Sequence, residues 1–200
     1  MPLDLKREIG NHRVIVLVIP NDTYTECMIE ISKQLGNLYQ KICYVSLNKL
    51  FTALLNSFRN NGVNVERFFF VDAITKSALP GIEDTFNCKY VSSASALREL
   101  GIAINNELNK EIYRALVFDS LSTLQIYNKG EVVTEFIRYM IARIRLSDCV
   151  AILTCLESDT DTELIKNLGM FSDKVIHLEA HVILEDDTTI VTFEARGSPI

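Results

Sequence analysis

The residues that could do chemistry fall in four short segments, each directly after an apolar run that predicts a β-strand. These segments are residues 20–25, 46–49, 119–123 and 154–161. Because ligands of open α/β sheets bind at the carboxyl ends of the strands, we expect any site to lie where these segments meet. No set of nucleophile, base and orienting residue can be assembled from them, so we assign no catalytic residue.

Two further patterns involve residue types that often bind metals. His177, Glu179 and His181 alternate, which would put three ligands on one face of an unbroken strand. Alternating histidines also arise by chance, and we expect a turn to interrupt this segment, so we assign no metal ligand.

The five cysteines are scattered without a C-x-x-C pair, which argues against disulfides and zinc and predicts reduced thiols in a cytoplasmic protein.

Hydrophobic periodicity predicts the elements that must position these segments. Strands are expected at residues 14–19, 42–45, 68–72, 115–119, 150–154 and 175–178, and helices at 24–35, 47–58, 94–108, 131–146 and around 164–168. Pro80 and Gly81 interrupt residues 75–92, which we interpret as a long surface loop. The segment from His181 to Glu194 predicts a hairpin. The predicted fold is a three-layer α/β sandwich, a doubly wound and mainly parallel sheet with an antiparallel C-terminal hairpin at one edge.

Length and composition limit the possible functions. The chain has 200 residues, is 48% apolar and carries a net charge of −6, which predicts one domain over residues 1–200 with a sizeable core. The acidic balance disfavours nucleic acid and anionic membranes as partners. The longest apolar run, residues 14–19, is far shorter than the roughly 20 residues of a membrane span, and the mixed-charge amino terminus does not fit a signal peptide.

Four strings, in this order, resemble the RecA-like P-loop ATPases, in particular their KaiC-like, archaeal-type branch. Residues 42–47 are similar to the family's second strand, and residues 114–122 are similar to its Walker B strand. Residues 171–178 are similar to a late family segment with the pattern aDgVi.L, and residues 194–198 are similar to its terminal K-x-R-G-S string. The resemblance covers most of the chain. It implies an eight-stranded sheet whose last two strands are antiparallel, in agreement with the predicted hairpin.

The chain departs from that resemblance where the ATPase chemistry should be. A P-loop needs G-x-x-x-x-G-K-[ST], because glycines let backbone N–H groups wrap the phosphates and lysine neutralises them. Residues 19–27 contain neither glycine nor lysine. Pro20 removes a backbone N–H donor. We expect the carboxylates of Asp22 and Glu26 to occupy the phosphate cradle and to satisfy the N-terminus of the following helix, with Thr23 and Glu26 as its capping box. Where the family carries a catalytic glutamate pair, this chain has Asn48 and Lys49.

Three residues match positions that have roles in the family. Asp119, with Ser120 beside it, lies at the Walker B position and would hold magnesium through water if a nucleotide binds. The simpler interpretation of Asp119 is a polar residue that caps the turn at 120–123. Arg196 matches the family arginine that reaches a neighbouring subunit's nucleotide, so it is a possible interface residue, although a solvated surface arginine is the simpler interpretation.

The leading hypothesis is a non-catalytic RecA/KaiC-like domain that acts as a regulatory or protein-interaction module. It would pair with itself or with an active relative, and it would need no cofactor. The alternative is an atypical ATPase or sensor that binds ATP with magnesium, or another small ligand, in the same crevice. It would use Asp119, Ser120, Lys49 and Thr154 in an altered pose. A nucleic-acid binder of the recombination type is a third class, which the acidic balance disfavours.

Overall fold

The computed structural model of the chain describes residues 3–110, 112–159, 163–185 and 188–196. One mixed sheet of eight strands runs through it in the order β4-β3-β2-β5-β6-β1-β7-β8. The strands are β1 Val14–Ile19, β2 Ile42–Ser46, β3 Phe68–Asp72, β4 Cys88–Tyr90, β5 Ala115–Asp119, β6 Val150–Leu156, β7 Lys174–Glu185 and β8 Thr188–Arg196. All neighbouring pairs are parallel except β7 and β8, so the predicted fold class is confirmed.

Helices cover both faces of the sheet. They are α1 Leu5–Asn11, α2 Tyr24–Leu38, α3 Phe51–Asn60, α4 Thr75–Ala78, α5 Leu97–Leu108, α6 Leu121–Tyr127, α7 Gly130–Leu146 and α8 Glu163–Phe171. Helices α1, α2 and α3 share one hydrophobic core with the sheet, and α5 to α8 share the other. Each central strand is buried on both faces, which is why it appears in the sequence as a continuous apolar run.

Several local predictions were wrong. The segment 75–92 is not a featureless loop, because it contains α4 and the edge strand β4, which pairs with β3. No turn interrupts β7, since the predicted strand at 175–178 and the first half of the hairpin form one strand. Strand β4 has only three residues, too few for a periodic signal.

The start of helix α3 is capped from another strand. The helix predicted at 47–58 begins later, because α3 starts at Phe51 and the Ser46 hydroxyl donates to the Lys49 carbonyl in the preceding loop. The fully buried Asp72, at the end of β3, accepts hydrogen bonds from the Phe51 N–H (2.7 Å), the Ile74 N–H (2.7 Å) and the Thr75 N–H (2.8 Å). The Asp72 carboxylate therefore holds the starts of α3 and α4 against the carboxyl end of β3.

We predict that Asp72→Asn lowers the free energy of unfolding by about 3 kcal/mol, because an amide group cannot accept at both positions and leaves buried N–H donors unpaired. Urea unfolding would measure this loss. The control is Asp22→Asn, which removes an exposed carboxylate for which no hydrogen bond is seen among the described residues. Equal losses in the two variants would contradict the capping role of Asp72.

Candidate functional site

The four polar segments predicted to meet do meet, at the carboxyl end of the sheet. Each contributes one residue to a single hydrogen-bonded group: Tyr24, Asn48, Asp119 and Thr154. Tyr44 of β2 completes the group. In β2, β5 and β6 these side chains occupy the alternating positions that point toward the α2 and α3 layer, which is why they converge.

The Asp119 carboxylate is the centre of the group. It is 1% exposed and accepts from the Tyr24 hydroxyl at 2.6 Å, the Tyr44 hydroxyl at 2.5 Å and the Asn48 amide at 2.9 Å. A carboxylate offers about four acceptor directions, so three of them are used by this chain. No lysine or arginine among the described residues forms an ion pair with Asp119. Neutral donors alone therefore hold this buried group.

Both phenols act as donors because they stay protonated. Burial, followed by the charge of Asp119, raises the pKa of Tyr24 well above its ordinary value, although hydrogen bonds from Thr154 and Ser120 oppose the rise. The same two causes raise the pKa of Tyr44. The Thr154 hydroxyl donates to the Phe118 carbonyl at 3.0 Å, and its oxygen lies 2.8 Å from the Tyr24 oxygen.

Packing fixes the two tyrosine rings from different sides. Tyr44 is fully buried, and its ring centre lies 5.4 Å from that of Phe58 and 5.8 Å from that of Phe70. Tyr24 is the first residue of α2 and is 8% exposed. Its hydroxyl reaches Asp119 and Thr154, so the ring lies between the start of α2 and the ends of β5 and β6.

The start of α2 differs from the expected capping box. Thr23 is the N-cap residue but makes no side-chain capping bond, and Asp22 and Glu26 are exposed, so the prediction that these side chains cap the helix was wrong. A cavity of about 350 Å³ opens beside Thr23. Three carboxylates line it, those of Asp22, Glu157 and Glu179. Acidic side chains thus border the mouth of the crevice, while Tyr24 occupies its depth.

Lys49 brings a cation to the start of α2. Its ammonium group donates to the Thr25 hydroxyl in the first turn of α2 at 3.1 Å. Ser120, the other predicted residue, is 2% exposed, and its hydroxyl lies 3.2 Å from the Thr123 hydroxyl. Asp119 bonds to Tyr24 and does not cap the turn at 120–123. Ser120 is instead the N-cap residue of α6.

The remaining predicted residues lie away from this group. Arg196 ends β8 opposite His177, and its side chain lies outside the described residues. His181 lies 3.8 Å from Glu194, and no group of metal-binding side chains is found in the part of the chain that the structure describes. In those same ranges, no helix is long and apolar enough to cross a bilayer.

Sequence reasoning missed Tyr24 and Tyr44. Both lie on apolar stripes and match the pattern of core aromatic residues, so nothing local marks their hydroxyls as partners of Asp119. The available signal was the aspartate itself: a carboxylate at the end of a buried strand requires donors, and tyrosines on the same sheet face can supply them.

The fold is similar to those of two archaeal proteins of known structure. An uncharacterized Pyrococcus horikoshii protein in complex with an unknown peptide is 13% identical, with a TM-score of 0.64 over 96% of this chain and 87% of that one. A KaiC-like protein from Pyrococcus horikoshii is 15% identical, with a TM-score of 0.61 over 92% and 78%. No family model and no curated protein matches this sequence. The chain therefore has a KaiC-like α/β fold.

We predict that Tyr44→Phe lowers the free energy of unfolding by about 2 kcal/mol, because a buried carboxylate loses a donor while the aromatic packing is kept. Urea unfolding would measure the change. Tyr127→Phe is the matched control, since Tyr127 is 56% exposed. The central role of Asp119 would be contradicted if the two variants unfolded at the same urea concentration.

Proposed function

We propose that this chain is a non-catalytic RecA/KaiC-like domain that acts as a regulatory or protein-interaction module. The observation that carries the proposal is the occupation of Asp119 by Tyr24, Tyr44 and Asn48. A magnesium-bound water would have to displace one of these donors or use the single remaining acceptor direction. The residue that matches the Walker B aspartate is thereby committed to the protein's own structure.

The phosphate cradle gives independent support. Residues 19–27 lack the glycines and lysine of a P-loop, so the segment is a degenerate Walker A. The Tyr24 ring stands at the start of α2, where backbone N–H groups would otherwise face an anion. Asp22, Glu157 and Glu179 at the mouth would repel a triphosphate, since like charges at about 4 Å cost on the order of 4 kcal/mol at an effective dielectric of 20.

A partner follows from the loss of ATPase chemistry. A domain without turnover acts through binding, and we propose that the flank carrying Arg196 contacts a second copy or an active KaiC-like ATPase. A structural neighbour is in complex with an unknown peptide, which we take as support for recognition of a protein segment by this chain too. The fold alone would not give this role.

One observation favours the alternative, an atypical nucleotide- or small-ligand-binding sensor. Lys49 reaches the first turn of α2 from the loop after β2, so a cation stands near the helix start although residues 19–27 have none. A ligand anion could replace the Thr25 hydroxyl as the partner of this ammonium group. Such a ligand would lie at the exposed rim, because Tyr24 closes the deeper part of the crevice.

Calorimetric titration with Mg-ATP and Mg-ADP separates the two functions. We predict no binding in the micromolar range for the unmodified chain, because the cradle is filled and acidic. Micromolar binding with turnover abolished by Asp119→Ala would overturn the proposal. Micromolar binding without turnover that Lys49→Ala weakens about tenfold, with Lys33→Ala as the control, would establish the alternative.

The partner claim is tested on an active KaiC-like ATPase from the same cell. We predict that the chain forms a complex with itself or with this ATPase in sedimentation experiments, and that complex formation with the ATPase changes its hydrolysis rate. Arg196→Ala should weaken association about tenfold, whereas Arg59→Ala, at the end of α3, should not. A chain that stays monomeric and leaves the rate unchanged would contradict the module hypothesis.

A further inference from the structure

A second polar cavity lies at the opposite edge of the sheet from Asp119. It has a volume of about 600 Å³ and lies between the ends of α5 and α7. Its polar lining comes from Asn109, Arg114, Arg143, Ser147 and Asp148. Arg114 directly precedes β5, whereas Asp119 ends that strand, so this cavity and the Asp119 group lie at opposite ends of β5.

Arg143 is held in this cavity by neutral groups. Its Nε donates to the Asn105 side-chain oxygen at 3.1 Å, and its Nη2 donates to the Asn109 side-chain oxygen at 2.9 Å. The Asn105 amide in turn donates to the Tyr139 hydroxyl at 2.6 Å, which fixes its orientation. A guanidinium group has five N–H donors, and the other three have no acceptor in the described part of the chain. Arg143 is therefore oriented without being neutralised.

The surrounding charges leave a positive surplus. Arg114 donates to the Asp148 carboxylate, and Arg13 approaches the same carboxylate at 3.6 Å while donating to the Ser147 carbonyl. The cavity itself is lined by two guanidinium groups, those of Arg114 and Arg143, and by one carboxylate, that of Asp148. Its lining therefore carries a positive surplus that favours an anion.

The position of these arginines near helix ends does not by itself explain the arrangement. Arginines near the C-terminus of a helix often donate to its last carbonyls, and Arg13, which lies between α1 and β1, does so at Ser147, the C-cap residue of α7. The hydrogen bonds of Arg143 go to two side-chain amides instead. Amides that position a guanidinium and leave its outer donors unused are suited to an incoming oxyanion.

We propose that this cavity is a binding site for a phosphate dianion, which Arg143 and Arg114 would contact through paired N–H donors. The group could come from free inorganic phosphate or from a phosphorylated residue of a partner protein. The site lies at the opposite end of β5 from the Asp119 group.

The test is a titration of the isotope-labelled full chain, followed by NMR, with inorganic phosphate and separately with a phosphoserine peptide. Sodium chloride at matched ionic strength controls for screening. We expect saturable shifts of the Ser147 and Asp148 amide signals with a Kd of about 1 mM or tighter. Stronger binding of the peptide than of phosphate would identify a phosphoprotein as the source, and the reverse order would identify free phosphate.

Two substitutions should act in opposite directions. Arg143→Gln should weaken binding about tenfold, because it removes the charge and the unused donors. Asp148→Asn should strengthen binding about fivefold, because the carboxylate that lines the cavity and repels the ligand is lost. Arg59→Gln, an exposed arginine in the last turn of α3, is the matched control. The proposal is overturned if no saturable shifts occur, or if Arg143→Gln binds phosphate as tightly as the unmodified chain.

Discussion

The burial of one carboxylate determines the shape of this crevice. Asp119 ends a central strand at 1% exposure, and it has no cation among the described residues to balance it. A charged or strongly polar group in such a place is tolerated only when it is fully hydrogen-bonded. Tyr24, Tyr44 and Asn48 supply the donors from α2, β2 and the loop after β2. The same contacts tie those three elements together, so the crevice is closed because Asp119 must be satisfied.

The net charge of −6 conceals a separation of charge across the sheet. Carboxylates line the cavity beside the start of α2, at the carboxyl edge, with Glu157 and Glu179 among them. Guanidinium groups gather at the amino edge around Arg114 and Arg143. An overall acidic balance disfavours polyanions as general partners, but it does not decide what a local concave surface accepts. The edge that would hold phosphate in a P-loop protein is acidic in this chain, and the opposite edge is basic.

The sequence predicted the elements with local signals and missed those that depend on distant contacts. The strands from β1 to β3 and the helices α2 and α7 follow from buried apolar runs and 3.6-residue stripes, which need no knowledge of the fold. The cap of α3 comes from Asp72, which is 21 positions away, and Tyr24 contacts Asp119 across 95 positions. The meeting of the four polar segments was predictable because strand ends share an edge. Which residues would contact each other there was not predictable, because the sequence does not distinguish a buried tyrosine whose hydroxyl binds a buried carboxylate from one that only packs in the core.

The Asp119 site bears on how a matching motif residue should be interpreted. An aspartate at this strand end resembles a magnesium-binding residue, yet a carboxylate at that depth needs partners whether or not a metal is present. An unpartnered carboxylate at this depth would destabilise the fold, so it is tolerated only where donors reach it. Here two phenols and an amide reach it, and the pKa of each phenol is raised, which keeps both as donors. The presence of the aspartate therefore reports the geometry of the fold, and its donors are what hold the carboxylate in this chain.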